Sequence, residues 1–365
     1  MTTVSSQVLF ASVQPSTLDP SATLPAKFRR LLAALPLAKA VKGKTVAIKM
    51  HFGGNVGYTT IHPLFVGILV KAIKEAEGRP FITDGSWSLG EARARGYTEE
   101  VIGCPAMPAA GFNEKYLYKR AVDFKTLKEI EITGQVADAD VLVNFSHVKG
   151  HGACAYGGAC KNLAMGCVSC ATRHEIHRLE GGLTWHEADC THCRKCVEAC
   201  RTGAARMGED GKLQIFFHDC VYCQHCVTAC PKHAIKINRE GFKDFQKGMA
   251  IVTREVLSFF EPQNIFNINM LLNISMVCDC WGMSTPSIVP DIGILASQDL
   301  VAVERASLDM IKVENFLPNG LPKDRKLRKG KHLFEQIHAK DPLVQVDLLE
   351  AEGVGKQEYK LAEIE

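Results

Sequence analysis

The sequence lacks the short motifs that mark several common enzyme classes. It contains no GxGxxG, no GxxxxGKS or GxxxxGKT, and no GxSxG. A bound dinucleotide, a P-loop nucleotide site and a serine-hydrolase nucleophile therefore have no support. An excess of charge of one sign is also lacking, since 43 lysines and arginines face 40 acidic residues. The net charge of +3 is too small to indicate a nucleic acid or an anionic membrane as the partner.

Long apolar runs are missing as well. No stretch approaches the roughly 20 apolar residues of a membrane-spanning helix, and residues 8–13 (VLFASV) are too short for the core of a signal peptide. Of the 15 cysteines, eight stand in two regular runs and an odd number remains, which fits poorly with a disulfide framework. We therefore expect a protein of the reducing cytoplasm that does not contact a membrane.

The two cysteine runs have the same spacing. Both follow C-x2-C-x2-C-x3-C, and Pro231 follows the second run. This is the spacing of two-cluster bacterial ferredoxins, in which the fourth cysteine of each run ligates the cluster of the other run. The sequence therefore predicts two [4Fe–4S] clusters with interleaved ligands: Cys190, Cys193, Cys196 and Cys230 for the first, and Cys220, Cys223, Cys226 and Cys200 for the second. Paired zinc ribbons are the alternative for these cysteines.

The segment that contains the runs is an internal repeat. Asp189-Cys190 recurs 30 residues later as Asp219-Cys220, which is typical of the pseudo-twofold fold of a two-cluster ferredoxin. Residues 184–237 hold six acidic and seven basic side chains. Such a balanced surface suits a module that is docked on a host domain better than it suits a free carrier.

On either side of this segment, predicted strands alternate with predicted helices. The strands are expected at 45–50, 80–84, 129–133, 141–145, 266–276 and 291–295, and the helices at 63–77, 159–165, 243–260 and 301–311. This alternation favours an α/β fold with a mainly parallel sheet that has helices on both faces. We interpret residues 1–180 and 241–365 as two parts of one discontinuous α/β domain, and residues 181–240 as an inserted α+β ferredoxin domain of the bacterial type. Three sequential domains are the alternative.

A second concentration of unusual residues follows the predicted strand at 141–145. Residues 147–170 include His147, His151, Lys161, a Gly-Gly turn at 157–158 and four cysteines. Because open α/β sheets bind ligands beyond the carboxyl ends of their strands, we predict a site here. The glycine N–H groups and Lys161 would bind an anionic small molecule, and His147 or His151 would act as the acid/base or as a metal ligand. A glycine-rich turn with cysteines packed as apolar residues is the alternative.

Cys278 and Cys280 follow the predicted strand at 266–276. A C-x-C pair offers two ligands to a metal, and a histidine or cysteine from the 147–170 loop, Cys160 among them, would complete a third metal or iron–sulfur site. Buried structural thiols are the alternative. Other residues at predicted strand ends are expected to line the same cleft, namely Lys49, His51 and Asp84.

Together these motifs resemble a known family. The segments IKMHFGG (48–54), HVKGH (147–151), GGACKNLAMGC (157–167) and CDCWGMSTPSIVPDIGILAS (278–297) are similar to those of the iron–sulfur proteins described as domain of unknown function 362. The resemblance covers nearly the whole chain and implies an iron–sulfur cluster-binding protein of the anaerobic prokaryotic type, without an established reaction. It marks His147, His151, Lys161, Asn162, Cys278 and Cys280. One departure from the usual ferredoxin pattern is Arg201, where proline commonly follows the fourth cysteine.

A predicted cluster pair and a separate polar cleft in one chain indicate an electron-transfer function. We expect an oxidoreductase or reductive activator that relays single electrons between a redox partner protein and the cleft. Two alternatives stay open. One is a ferredoxin-like carrier that docks a partner enzyme and has no substrate of its own, and the other is a non-redox metal enzyme with structural clusters.

Overall fold

The structure is a computed structural model that describes residues 5–54, 57–85, 88–200, 202–217, 219–220, 224–238, 241–281, 284–323 and 325–365, with the backbone only at 281. The strands are β1 (Ser6–Ser12), β2 (Thr45–Lys49), β3 (Arg79–Asp84), β4 (Ala106–Pro108), β5 (Leu117–Phe124), β6 (Leu127–Thr133), β7 (Val141–His147), β8 (Lys149–His151), β9 (Ala155–Gly157), β10 (Leu183–Trp185), β11 (Ala205–Met207), β12 (Leu213–Ile215), β13 (Ile235–Ile237), β14 (Ile265–Leu271), β15 (Gly293–Ser297) and β16 (Tyr359–Glu363).

The helices are α1 (Leu24–Ala34), α2 (Leu37–Val41), α3 (Pro63–Glu75), α4 (Leu89–Ala94), α5 (Glu99–Ile102), α6 (Gly134–Ala137), α7 (Ala159–Gly166), α8 (Cys170–His177), α9 (Lys195–Glu198), α10 (His225–Ala229), α11 (Gly241–Leu257), α12 (Leu300–Met310), α13 (Leu333–His338) and α14 (Leu343–Ala351). Within the described parts of the chain, none of these helices has the length and apolar character needed to cross a membrane.

The central sheet has eight strands in the order β16–β1–β15–β14–β7–β2–β3–β4. Strand β15 runs antiparallel to both of its neighbours, and the other adjacent pairs are parallel. The α/β fold with a mainly parallel sheet is thus confirmed. Because β2, β3, β7 and β14 run in the same direction, their carboxyl ends meet at one edge of the sheet, where ligands of such folds bind.

Helices cover both faces of the sheet, and successive strand residues face opposite layers. In β2, Val46 and Ile48 pack into a core with Phe28 of α1, whereas Ala47 packs into the other core with Phe245 of α11. Strands that are buried on both faces read as nearly continuous apolar runs rather than as alternating ones. This explains why the strand at 45–50 was recognisable from sequence alone.

Two predicted strands differ from the observed ones. The strand expected at 266–276 ends at Leu271, and all of its residues are buried. Its polar members are tolerated because their amides are hydrogen-bonded: Asn144 Nδ2 donates to Asn267 Oδ1 at 3.0 Å, and Asn269 Nδ2 donates to Ser307 Oγ at 2.9 Å. The strand expected at 129–133 belongs to the β5–β6 hairpin, outside the central sheet.

The chain between α8 and α11 forms two small sheets of its own. Strand β10 pairs with β13 and β11 with β12, both antiparallel, and Asn238 N–H donates to Gly182 O at 2.8 Å, so the two ends of the segment lie side by side. The repeat is visible in the backbone, since Arg194 and Gln224 both have positive φ angles, 61° and 66°, and each precedes a short helix. The domain boundaries at 180 and 240 stay a prediction.

Candidate functional site

A cleft of about 640 Å³ opens at the sheet edge where β2, β3 and β7 end. Its basic side chains are Lys49, His51, His147, Lys149, His151, Lys161, Arg173, His174 and His177. Its acidic and thiol side chains include Asp84, Cys170, Cys278 and Cys280. The structure therefore brings the 147–170 loop, the C-x-C pair and the strand-end residues of the N-terminal half into one cavity.

Asp279 lies buried beside the cleft between two basic side chains. His147 Nδ1 and Lys149 Nζ each lie 2.8 Å from Asp279 Oδ2, and His147 Nε2 lies 2.7 Å from the carbonyl oxygen of Leu272. Burial acts to raise the pKa of Asp279, but Lys149 and His147 hold it well below its usual value. Each ring nitrogen of His147 thus lies within hydrogen-bond distance of an oxygen atom of the chain itself. In this arrangement His147 orients Asp279, and the acid/base or metal-ligand role of His147 stays a prediction.

A second buried carboxylate, that of Asp84, orients His51. Asp84 Oδ2 lies 2.8 Å from His51 Nδ1 and accepts from Phe52 N–H at 3.1 Å, while Asp84 Oδ1 lies 3.1 Å from Lys49 Nζ. Burial acts to raise the pKa of Asp84, but Lys49 and then His51 hold it well below its usual value. His51 Nδ1 is therefore the donor. The buried Nε2 makes no hydrogen bond to any described residue, so His51 has the geometry of a general acid/base held by a carboxylate.

Three side chains at the cleft have the donor atoms of a metal site. One ligand atom from each of His151, Cys278 and Cys280 lies within 4.8 Å of the others. Lys161 Nζ lies 3.6 Å from Cys278 Sγ and 3.7 Å from Cys280 Sγ. The hydrogen bond from the Cys280 thiol, and after it the ammonium groups of Lys161 and Lys149, hold the pKa of Cys278 well below its usual value. Cys278 is thus prepared as a thiolate, which is the ligating form of cysteine.

Cys160, which was predicted as a member of this site, lies elsewhere. Its sulfur is fully buried and lies 3.4 Å from Thr253 Oγ1 of α11, and burial raises the pKa of its thiol well above the usual value. Consecutive residues of a helix point about 100° apart, so Lys161 reaches the cleft while Cys160 faces α11. The third member of the group is His151 instead of Cys160.

The N-terminus of α7 is capped by the carboxyl group of Glu304. Cys160 N–H donates to Glu304 Oε1 at 2.7 Å, and a Cβ at Gly158 would lie 2.4 Å from Glu304 Oε2. Burial raises the pKa of Glu304 to about 7. The Gly-Gly turn at 157–158 thus makes room for the carboxyl group of Glu304. This group occupies the N-terminus of α7, where an anionic ligand was expected. Lys161, the other residue expected to bind the anion, lies beside the thiols of Cys278 and Cys280.

In the small sheets, three cysteines of the first run meet the last cysteine of the second. Cys190, Cys193, Cys196 and Cys230 line one pocket. Backbone N–H groups lie against their sulfurs, since His192 N–H donates to Cys190 Sγ at 3.4 Å and Ala234 N–H to Cys230 Sγ at 3.3 Å. Such hydrogen bonds stabilise ligating thiolates, so the donor set fits a four-thiolate metal group.

Three of the four cysteines assigned to the second cluster lie in the described part of the chain. Cys200 packs into two small apolar clusters, one of which contains Cys226 and the other Cys220. Burial acts to raise the pKa of Cys200, but hydrogen bonds, the first from Ala205 N–H at 3.3 Å, lower it. Cys223 and Arg201 lie outside the described residues.

Three buried charged residues were not predicted to have a role. Asp279 lies between Cys278 and Cys280, so its position between two predicted metal ligands was a sequence feature that could have indicated a role. Glu304 was visible as an acid among the apolar residues of α12. Lys340 has no comparable signal, because its partners Gly152, Phe217 and Cys220 lie 120 to 188 residues away along the chain.

A model of the family described as Domain of unknown function (DUF362) matches residues 46–309, almost three quarters of the chain. No curated protein matches it. Among solved structures, the lactate racemase apoprotein from Thermoanaerobacterium thermosaccharolyticum is 13% identical with a TM-score of 0.36, over 73% of this chain and 51% of that one. A protein from Thermotoga maritima is 12% identical with a TM-score of 0.38, over 70% and 52%. This chain spans about half the length of each, and likenesses this weak carry no functional argument.

Proposed function

The chain belongs to the DUF362 family, and we propose that it is an iron–sulfur electron-transfer protein of the cytoplasm. Residues 181–240 would form an inserted ferredoxin-type domain with two [4Fe–4S] clusters, which accept and release single electrons when bound. The first would be held by Cys190, Cys193, Cys196 and Cys230, and the second by Cys220, Cys223, Cys226 and Cys200. The protein would act as an oxidoreductase or reductive activator between a redox partner protein and its own cleft.

The observation that supports this proposal best is the pocket that Cys190, Cys193 and Cys196 share with Cys230. Interleaved ligation requires one ligand from the second run beside three from the first. Two independent sites, one for each run, would instead group Cys200 with the first three. The backbone N–H groups at the sulfurs support anionic thiolates in the same place.

The exposure of the two cysteine runs indicates where a redox partner protein would bind. Residues 191–195, in the loop of the first run, are exposed, whereas Cys220 at the start of the second run is buried. A redox partner protein would therefore reach the first run from solvent, while Cys220 lies against Lys340 of the α/β part.

We further propose that the cleft holds a metal ion through His151, Cys278 and Cys280. Two cysteine sulfurs and an imidazole favour a thiophilic ion such as zinc or iron, and an ion held by these three protein ligands would have a coordination position left for a substrate. The basic lining supports an anionic small molecule as that substrate. His51, held by Asp84, would transfer protons, and Lys161 would bind negative charge.

The cleft favours an enzyme over a carrier without a substrate of its own, because a carrier needs neither a buried carboxylate–histidine pair nor a cavity of this size. The group of His151, Cys278 and Cys280 also fits the second candidate, a non-redox metal enzyme with structural clusters. That enzyme would keep its turnover when the clusters are oxidised.

Anaerobic purification with counting of iron, acid-labile sulfide and other metals tests these proposals. For two [4Fe–4S] clusters we expect about eight irons and about eight sulfides per chain, an EPR signal after reduction, and one further metal ion from the cleft. Stoichiometric zinc without sulfide would overturn the clusters. Clusters without the further ion would overturn the metal site in the cleft.

A further inference from the structure

Lys340 is a buried ammonium group with a full set of hydrogen-bond acceptors. Its side chain is 1% exposed, and Nζ donates to the carbonyl oxygens of Gly152 at 2.5 Å, Cys220 at 2.9 Å and Phe217 at 3.3 Å. An ammonium has three N–H donors and a neutral amine has two, so this environment fits the charged form.

The position of Lys340 connects the two candidate sites. Gly152 follows His151 of the cleft, and Cys220 begins the second cysteine run. A small crevice between these regions is lined by His151, Gly152, Asp219 and Cys278 together. Lys340 thus fixes the backbone of the second run against the loop that carries a candidate metal ligand.

The first run has no equivalent of Lys340 among the described residues. Its nearby basic side chains, Arg194 and Lys195, are exposed, so water and salt screen their charge. A charge in the low-dielectric interior acts far more strongly at the same distance. The two runs therefore differ in electrostatic environment although their cysteine spacing is identical.

We propose that Lys340 raises the reduction potential of the cluster held by the second cysteine run above that of the cluster held by the first. Reduction adds one negative charge to a cluster, and a fixed buried cation beside Cys220 stabilises that charge. Lys340 is thus a positioning and potential-setting residue that favours electrons on the side of the cleft. This inference rests on the proposed clusters.

Potentiometric EPR titration of the anaerobic, cluster-loaded protein tests the role of Lys340. In Lys340→Met, we expect one of the two midpoint potentials to fall and the other to stay. The fall should be at least about tenfold in the ratio of reduced to oxidised cluster, or about 59 mV for a one-electron couple. Lys340→Arg keeps the charge and should retain most of the wild-type separation. Lys236→Met removes an exposed charge from the same segment and should shift either potential much less.

The affected cluster is assigned by repeating Lys340→Met in a Cys190→Ala/Cys230→Ala background, which retains the second cluster alone, and the fall should persist there. If Lys340→Met does not fold, Lys340→Gln keeps amide donors for the carbonyls without the charge and should give the same fall. Unchanged potentials in a variant with wild-type iron and sulfide, or an equal fall in Lys236→Met, would overturn the role of Lys340 and leave the clusters in place. Absence of iron and sulfide from the wild type would instead overturn the proposed function.

Discussion

The cysteine-rich segment and the cleft of the α/β part assemble their candidate sites in opposite ways. In the segment, all the predicted ligands come from two short runs with one repeated spacing, and backbone N–H groups lie against the sulfurs. In the cleft, the side chains come from distant stretches of chain and are held by buried ion pairs, such as those of Asp84 and Asp279. A local pattern therefore specifies the first site, and the tertiary fold specifies the second.

The largest expected effect concerns the interleaving of the two runs. We predict that Cys190→Ala/Cys230→Ala, which removes two ligands from one cluster, keeps the other intact, whereas Cys190→Ala/Cys200→Ala damages both. Iron and sulfide analysis and EPR of the reduced proteins should show one intact [4Fe–4S] signal in the first variant and none in the second.

Cys104→Ala is the control for this pair, because Cys104 is a buried thiol in the core of the α/β part, and it should keep both clusters. The reverse result, with an intact cluster in Cys190→Ala/Cys200→Ala alone, would mean that each run holds its own site. The segment would then resemble paired zinc ribbons in its connectivity.

The next effect is the loss of one metal ion from the cleft. Cys278→Ala/Cys280→Ala removes two of three candidate ligands, so the further metal should disappear while cluster iron and sulfide stay unchanged. Elemental analysis of anaerobic protein measures both at once. Cys170→Ala, which removes another thiol of the cleft lining, should keep the ion, and loss of the ion in this control would show that the ligand set is different.

The sequence carried different amounts of information about the two regions. Fixed spacing within each run was enough to predict an interleaved set of ligands, because the cysteines lie in short loops of repeated length, and that assignment stays a prediction. The alternation of strands and helices was enough to predict the parallel sheet, and with it the edge where Lys49, His51, Asp84 and the 147–170 loop meet.

Partners within the cleft were not predictable in the same way. Cys160 and His151 both follow β7 in the chain, so sequence order alone does not distinguish them as partners of Cys278. The direction of each side chain on its own strand or helix decides which of the two reaches the thiols. The contacts of the two His147 ring nitrogens with Asp279 and Leu272 were likewise not predictable from the sequence. Such pairings depend on contacts over more than 100 residues of chain, which no local pattern records.

The buried ion pairs beside the cleft predict a third effect, this time on stability. Asp84→Asn leaves Lys49, which is 1% exposed, without its counter-charge, and removing one partner of a buried pair costs about 3–5 kcal/mol. We therefore expect a clearly lower urea midpoint at pH 7, with cluster iron unchanged. Asp123→Asn is the control, because its partner Lys128 and Asp123 itself are exposed, and its midpoint should stay close to that of the wild type.

The same variant has a predictable pH dependence. Because the folded pKa of Asp84 lies below its usual value of 3.8, its stabilising effect is complete above pH 3.8 and is lost as the pH falls toward the folded value. The difference between wild type and Asp84→Asn should thus shrink below about pH 4. A difference that is constant with pH would mean that the carboxylate charge is not what stabilises this part of the fold.

The effect on stability expected for Glu304 is the smallest, and its dependence on pH is opposite in direction to that of Asp84. Burial raises the folded pKa of Glu304 from 4.5 to about 7, so the folded state binds a proton that the unfolded chain has already lost. The wild type should therefore lose stability as the pH rises from about 4.5 to 7, by about 2–3 kcal/mol, and level off above pH 7. Glu304→Gln keeps an oxygen acceptor for Cys160 N–H and cannot ionise, so its stability should be nearly flat over this range.

Urea unfolding at pH 5, 6, 7 and 8 measures how the free energy of unfolding of the wild type and of Glu304→Gln changes with pH. Only the difference between these two slopes depends on Glu304. Glu75→Gln is the control, since Glu75 is an exposed residue of α3 that pairs with Lys71, and it should follow the wild-type slope. If Glu304→Gln also follows that slope, then Glu304 is ionised in the folded protein at neutral pH. The first turn of α7 would in that case hold a true carboxylate, and the buried charge beside the cleft would be one unit more negative than the structure implies.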